Sequence, residues 1–218
     1  MLSQEKKDRY HRQIQIRKQR ENIMRNDKVV KPFTVAFNLH TGLSPKEKSV
    51  QRRLSDLSGM VSDQEALEKM IREDDQLVYE FYDMHSPETP FEVQYGTSIT
   101  YPGKVGNEYF MTKGHFHNVM DTAEIYYCLR GRGYMLMENP EGEWDAQEMT
   151  PGAALYVPGR WAHRSINVGA DEPLITFFTF RGDAGHDYGT IETKGFRKLL
   201  VEKNGKPEFI DNPKWKVY

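Results

Sequence analysis

Thr112-Lys113-Gly114-His115-Phe116-His117, followed after six further residues by Glu124-Ile125-Tyr126-Tyr127-Cys128-Leu129, governs the reading of this chain. Side chains on a strand alternate between its two faces, so histidines at i and i+2 stand together on one wall. Glu124 opens the next predicted strand, and an antiparallel neighbour would bring its carboxylate beside the pair. His163 closes the turn Pro158-Gly159-Arg160-Trp161-Ala162-His163. A lone histidine in an alternating strand is ordinarily a core or surface residue. Three histidines and a glutamate at this joint spacing instead suit a first-row divalent ion with positions left open for substrate or water.

Working outward, Leu77-Val78-Tyr79-Glu80-Phe81-Tyr82 reads as a strand rich in aromatic and branched residues. Further short strands are predicted near 97–101, 107–113, 124–130, 133–138, 153–157, 163–168 and 174–181, punctuated by Gly and Pro. Strands so short and so regularly interrupted predict an all-β barrel or sandwich rather than alternating βα units. One helix precedes them. Ser62 and Glu65 have capping-box spacing, Leu67, Met70 and Ile71 share a face, and the helix should end near Asp74-Asp75. Residues 1–31 are expected to be a basic N-terminal extension, with eight Lys/Arg up to Arg25 against Glu5, Asp8 and Glu21. Such an arm can touch nucleic acid or lipid, but a solvated helix or frayed end is the simpler reading. Residues 32–218 then form a single β-barrel domain.

The 218 residues are 38% hydrophobic and 28% charged, with a formal net charge of −2, so no global field attracts nucleic acid or an anionic membrane. Cys128 is the one cysteine, which excludes a disulfide within the chain and suits a reducing compartment. No apolar run approaches the roughly 20 residues that span a bilayer, and the first residues lack the apolar core of a secretory signal. The expectation is a cytoplasmic protein with neither a membrane nor a nucleic-acid partner.

His115-Phe116-His117, Glu124 and Gly131 resemble the first motif of the cupin superfamily. Gly152, Pro158, His163 and Asn167 stand at the spacing of its second. Two departures are visible: six residues separate His117 from Glu124 where three or four are usual, and Arg160 stands where a glycine is expected. Within that superfamily the chain resembles the cupin-type glucose-6-phosphate isomerases, known chiefly from archaea, from about Pro32 to the C-terminus. The resemblance is carried by Tyr101-Pro102-Gly103-Lys104-Val105-Gly106, the 112–117 stretch, Pro158–Arg164, Asp183-Ala184-Gly185-His186-Asp187-Tyr188-Gly189 and Ser49–Asp56. It implies a cupin-type double-stranded β-helix (jelly-roll) barrel and interconversion of glucose 6-phosphate and fructose 6-phosphate, a step of glycolysis and gluconeogenesis. It implies one divalent ion per chain on His115, His117, Glu124 and His163, with Fe2+ favoured over Mn2+, Ni2+, Co2+ or Zn2+. It also implies substrate contacts at Tyr79, Ser98, Thr112, Gly114, His186 and Tyr188, and a homodimer. Ser98 keeps the hydroxyl of a more usual threonine, whereas Phe180 lacks the phenol that some members carry.

The residue types suit such chemistry. An aldose–ketose isomerase moves hydrogen between C1 and C2, through an enediol or by hydride shift. Glu124, the one carboxylate of the constellation, is ligand first and candidate base second. Ser98 and Thr112 offer hydroxyls to a phosphate, Gly114 lets backbone N–H approach it, and Tyr79 and Tyr188 could add phenols. His186 could shuttle a proton during ring opening or orient a hydroxyl. Arg160 and Arg164 are expected in surface pairs, and Trp161 in packing. Other readings of the same cage are an isomerase or epimerase for another sugar phosphate, an iron dioxygenase, or a non-catalytic sugar- or metal-sensing module. Exposed sheet edges independently favour pairing into a homodimer.

Overall fold

Two antiparallel sheets face one another across the interior of a computed structural model, which describes residues 31–82, 84 and 86–216. The first contains β1 (Val50–Arg53), β2 (Leu77–Phe81), β3 (Val93–Thr100), β6 (Glu124–Arg130), β9 (Ala154–Val157) and β11 (Leu174–Arg181), in the order β1-β2-β3-β11-β6-β9. The second has the order β10-β7-β8, from β7 (Gly133–Glu138), β8 (Trp144–Met149) and β10 (Ala162–Asn167). The Met111–His117 segment extends it beyond β10 through the bridges Met111↔Ile166 and His115↔His163. From β6 onward the chain crosses between the sheets, with β7 and β8 in the second, β9 in the first, β10 in the second and β11 in the first, in jelly-roll order. The molecule is a cupin-type double-stranded β-helix, and residues 35–218 form one compact unit.

A smaller sheet of order β13-β12-β5-β4 lies within that unit, built from β4 (Lys104–Val105), β5 (Glu108–Tyr109), β12 (Lys198–Lys203) and β13 (Lys206–Asp211). The alternation in β6 sets its faces: Tyr126 and Cys128 are buried, while Ile125 and Tyr127 are exposed. Tyr126, Cys128, Met135, Met137, Leu155 and Phe178 form an apolar cluster drawn from both sheets. Apolar burial of about 1.5–3 kcal/mol per large side chain holds the layers together.

Several expectations shift. The helix is α1 (Gln64–Glu73), and its cap is Asp63, whose carboxylate accepts from Ala66 N; Ser62 instead donates its N–H and hydroxyl to the buried Glu108. The histidine pair lies on an extended segment with isolated bridges rather than on a regular strand, and of the strand expected near 107–113 only β5 is continuous. Gly114 interrupts it at φ +75°. β6 pairs with β11 and β9, so Glu124 meets the histidines from the opposite sheet, not as a neighbouring strand. β1, β8, the β12–β13 hairpin and a second helix, α2 (Tyr188–Lys194), were not predicted. Arg164 is buried, contrary to the surface pairing expected, whereas Arg160 does make an exposed pair with Glu141. The basic extension falls, Lys31 apart, outside the described residues.

Candidate active site

The four predicted metal ligands converge between the sheets, where one nitrogen or oxygen from each of His115, His117, Glu124 and His163 lies within 4.8 Å of the others. His115 and His163 face each other as an antiparallel pair, with N–H to O distances of 3.3 and 3.1 Å in the two directions. That pairing puts both imidazoles on the interior face, with His117 two residues on. Phe116, between the histidines, points the opposite way into the core. Glu124 reaches in from β6, opposite Phe180 and Val157.

Hydrogen bonds decide which nitrogens face inward. Thr122 Oγ1 donates to the Val119 carbonyl at 2.7 Å and so can only accept from His117 Nδ1, also 2.7 Å away. The six residues between His117 and Glu124, long by the usual motif, fold into the turn that carries this threonine. His163 Nδ1 lies 3.2 Å from the Trp161 carbonyl, again an acceptor only. Both rings therefore carry their proton on Nδ1 and turn the Nε2 lone pair toward the cluster.

There His117 Nε2 is 3.1 Å and His163 Nε2 is 2.9 Å from the same Glu124 oxygen, the second without the direction of a hydrogen bond. His115 Nε2 is buried with no hydrogen-bond partner. Lone pairs aimed at a carboxylate repel unless a cation lies among them, and imidazole and carboxylate donors suit a first-row divalent ion. The residues present fit a divalent metal. Burial, reinforced by His163, His186 and His117, holds the His115 pKa well below the ordinary range, so the ring is neutral as a ligand must be.

These groups open onto a cavity of about 300 Å³. Tyr79, Ser98, Thr112, Gly114, His186 and Tyr188 all line it, so the structure brings every predicted contact residue to one place. Thr112 Oγ1 accepts from Ser165 N at 3.1 Å, which leaves its own proton to donate. The Tyr79 hydroxyl takes a long bond, 3.5 Å, from Lys113 N, and burial raises its pKa. Gly114 has to be glycine here because a Cβ would come within 2.9 Å of the His163 carbonyl and 2.7 Å of the Phe196 ring. His186 sits over His115, ring centroids 4.3 Å apart, and stacks on Tyr188. Its neighbour Asp187 caps α2, accepting from the Thr190 N–H and hydroxyl. Phe180, where a phenol was lacking, packs against His186 and His117.

Four site residues escaped the sequence reading. Tyr126 and Arg52 line the cavity, Ser165 lines it and holds Thr112, and Thr122 orients His117. Tyr126 was legible as the inward position two after Glu124. Arg52 and Ser165 depend on pairing partners far away in sequence, and Thr122 on the turn that follows His117.

A family model described as glucose-6-phosphate isomerase matches residues 51–216. The chain belongs to the glucose-6-phosphate isomerase family. Glucose-6-phosphate isomerase of Thermococcus litoralis is 50% identical over 190 residues, covering 87% of this chain and all of the relative. That of Thermococcus gammatolerans is 46% identical, with 86% and 98% covered, and that of Pyrococcus furiosus 45% identical, with 85% and 97% covered. Membership places the chain among enzymes and agrees with the resemblance carried by its motifs.

Proposed function

We propose that the protein interconverts glucose 6-phosphate and fructose 6-phosphate at this cavity, with one divalent ion held by His115, His117, Glu124 and His163. The observation that carries the reading is the orientation of His117 and His163. Both turn an Nε2 lone pair onto the Glu124 carboxylate, at the floor of a cavity whose wall is lined with hydroxyls. A bound divalent ion supplies Lewis acidity there and a template for two adjacent sugar oxygens. Family membership supplies the substrate.

The chain's own groups divide the remaining work. Tyr79, Ser98, Thr112 and the backbone at Gly114 bind the phosphate through hydrogen bonds. Tyr188 fixes the sugar chain, and His186 holds or moves the proton as the ring opens. Glu124 is a ligand first and the candidate base second. Phe178, Phe180 and Tyr126 form an apolar wall that limits water at C1 and C2. Iron is the favoured ion, though the donor set also suits manganese, nickel, cobalt and zinc. The protein works as a homodimer in the cytoplasm. The exposed Ile125, Tyr127 and Tyr156, clustered by the Ile125↔Tyr156 register at a sheet edge, support pairing.

The test is turnover of fructose 6-phosphate by purified protein, before and after chelation and after adding back single ions. Metal-restored formation of glucose 6-phosphate is expected, with loss of most activity in Glu124→Gln. Absence of turnover with every ion, in folded and metal-loaded protein, would sink the reading. With glucose 6-phosphate deuterated at C2 as substrate, deuterium retained at C1 of the fructose 6-phosphate distinguishes hydride shift from exchange through an enediol.

A further inference from the structure

We propose that Arg52 supplies the positive charge that selects a phosphorylated sugar, closing the phosphate end of the cavity from the edge strand β1. The inference rests on the sugar-phosphate reading above and adds a residue to it. A phosphate dianion moved out of water into a mostly apolar cavity is poorly compensated by neutral donors alone. Tyr79, Ser98 and Thr112 are all neutral. Among the described residues that line the cavity, Arg52 is the one with a permanent positive charge.

Its position follows from register. Arg52 lies directly opposite Tyr79 in the β1–β2 pair, and side chains so paired project from the same face. Both line the cavity, and the Tyr79 hydroxyl in turn meets Lys113 N, next to Thr112 and Gly114. The guanidinium therefore stands on the wall that presents the phosphate donors. One of its nitrogens donates to the Gln51 carbonyl at 3.1 Å, which leaves further N–H groups for an anion. The side chain is half-exposed, so its charge costs little to keep at the mouth.

The other nearby cations are committed elsewhere. Lys113 Nζ pairs with Glu192 at 3.0 Å. Arg164 lies behind Gly114, donating to the Lys113 carbonyl and the Met111 sulfur, with its guanidinium 4.3 Å from the Phe196 ring centre. A sugar phosphate entering the cavity meets Arg52 and no competing fixed charge from this group.

Metal-loaded wild type, Arg52→Gln, Arg52→Lys and Arg53→Gln are compared for fructose 6-phosphate turnover, and for its binding by calorimetry. Arg53 is exposed and bonded to the Asp75 carbonyl, so its variant controls for local charge. In Arg52→Gln both KM and Kd should rise about tenfold to a hundredfold, the loss expected of a charge-assisted hydrogen bond, with kcat held within about twofold. Arg52→Lys, which keeps charge but loses the fork, should fall between; Arg53→Gln should match wild type, as should the metal content of all four. Unchanged KM and Kd in Arg52→Gln, with wild type active, overturns the assignment alone. Wild type that binds fructose 6-phosphate through Arg52 but turns over no sugar removes the isomerase reading and keeps Arg52. Absence of binding by wild type removes both.

Discussion

The 2.7 Å bond from His117 Nδ1 to Thr122 Oγ1 fixes which ring nitrogen faces the cluster of ligands. Thr122→Val removes the hydroxyl acceptor while keeping volume, leaving only the weaker Thr122 carbonyl contact at 3.0 Å. Metal affinity should then fall about tenfold to a hundredfold, as is typical when a ligand's outer partner is lost. Titration with a competing chelator measures this, and Thr122→Ser, which keeps the hydroxyl, should stay near wild type; equal affinity in both variants would remove Thr122 from the site. Arg160 poses a separate residue-scale problem. It occupies the glycine position of the motif with φ +70°, a left-handed backbone that costs a side-chain-bearing residue about 1–2 kcal/mol. Its pair with Glu141 is exposed and returns little. Arg160→Gly should therefore stabilise by up to about 1 kcal/mol, raising the thermal midpoint by roughly 2–4 °C. A lower midpoint would show that the side chain contributes more than this geometry suggests.

At the scale of elements, α2 carries Tyr188 at its start and follows His186 after the capping Asp187. Its far end is tied down by Lys194, whose Nζ donates to the fully buried Glu138 carboxylate. Trp215 Nε1, at 2.7 Å, and Arg197 N donate to the same carboxylate, so one buried glutamate gathers the helix and the chain after it. Lys194→Met leaves that charge without its cation and should cost about 3 kcal/mol in urea unfolding, with kcat falling as Tyr188 and His186 lose their footing. A cost below about 1 kcal/mol would place the pair among ordinary surface bridges. Elements also differ in how plainly the sequence announces them. The β12–β13 hairpin turns on Asn204-Gly205, with φ of +53° and +73°, and that dipeptide between two extended runs was a legible turn signal. β8, Trp-Asp-Ala-Gln-Glu-Met, carries almost no apolar alternation because its side chains mostly face solvent, so periodicity could not reveal it.

For the whole molecule, the two sheets are joined at the ligand cluster as well as through their apolar cores. Three ligands come from the His115–His117 segment and β10 on one side, and Glu124 comes from β6 on the other. An ion bound by the folded protein alone stabilises by mass action, by about 4 kcal/mol at a thousandfold excess over Kd. Chelation should lower the thermal midpoint, adding back the ion should restore it, and His115→Ala/His117→Ala should show neither response. A midpoint indifferent to chelator in wild type would put the ion elsewhere. By itself the sequence determined the all-β class, the residues of the His115, His117, Glu124 and His163 cluster and the family, because strand alternation and motif spacing are local properties. It did not determine that Glu124 faces the histidines from the opposite sheet, that Thr122 and Trp161 set the imidazole protons, or that Arg52 stands beside Tyr79. The first and last depend on which distant strands pair and in what register, which hydrogen bonding between strands decides only when the chain has folded, and the imidazole protons depend on how the nearby turns fold back on their own histidines.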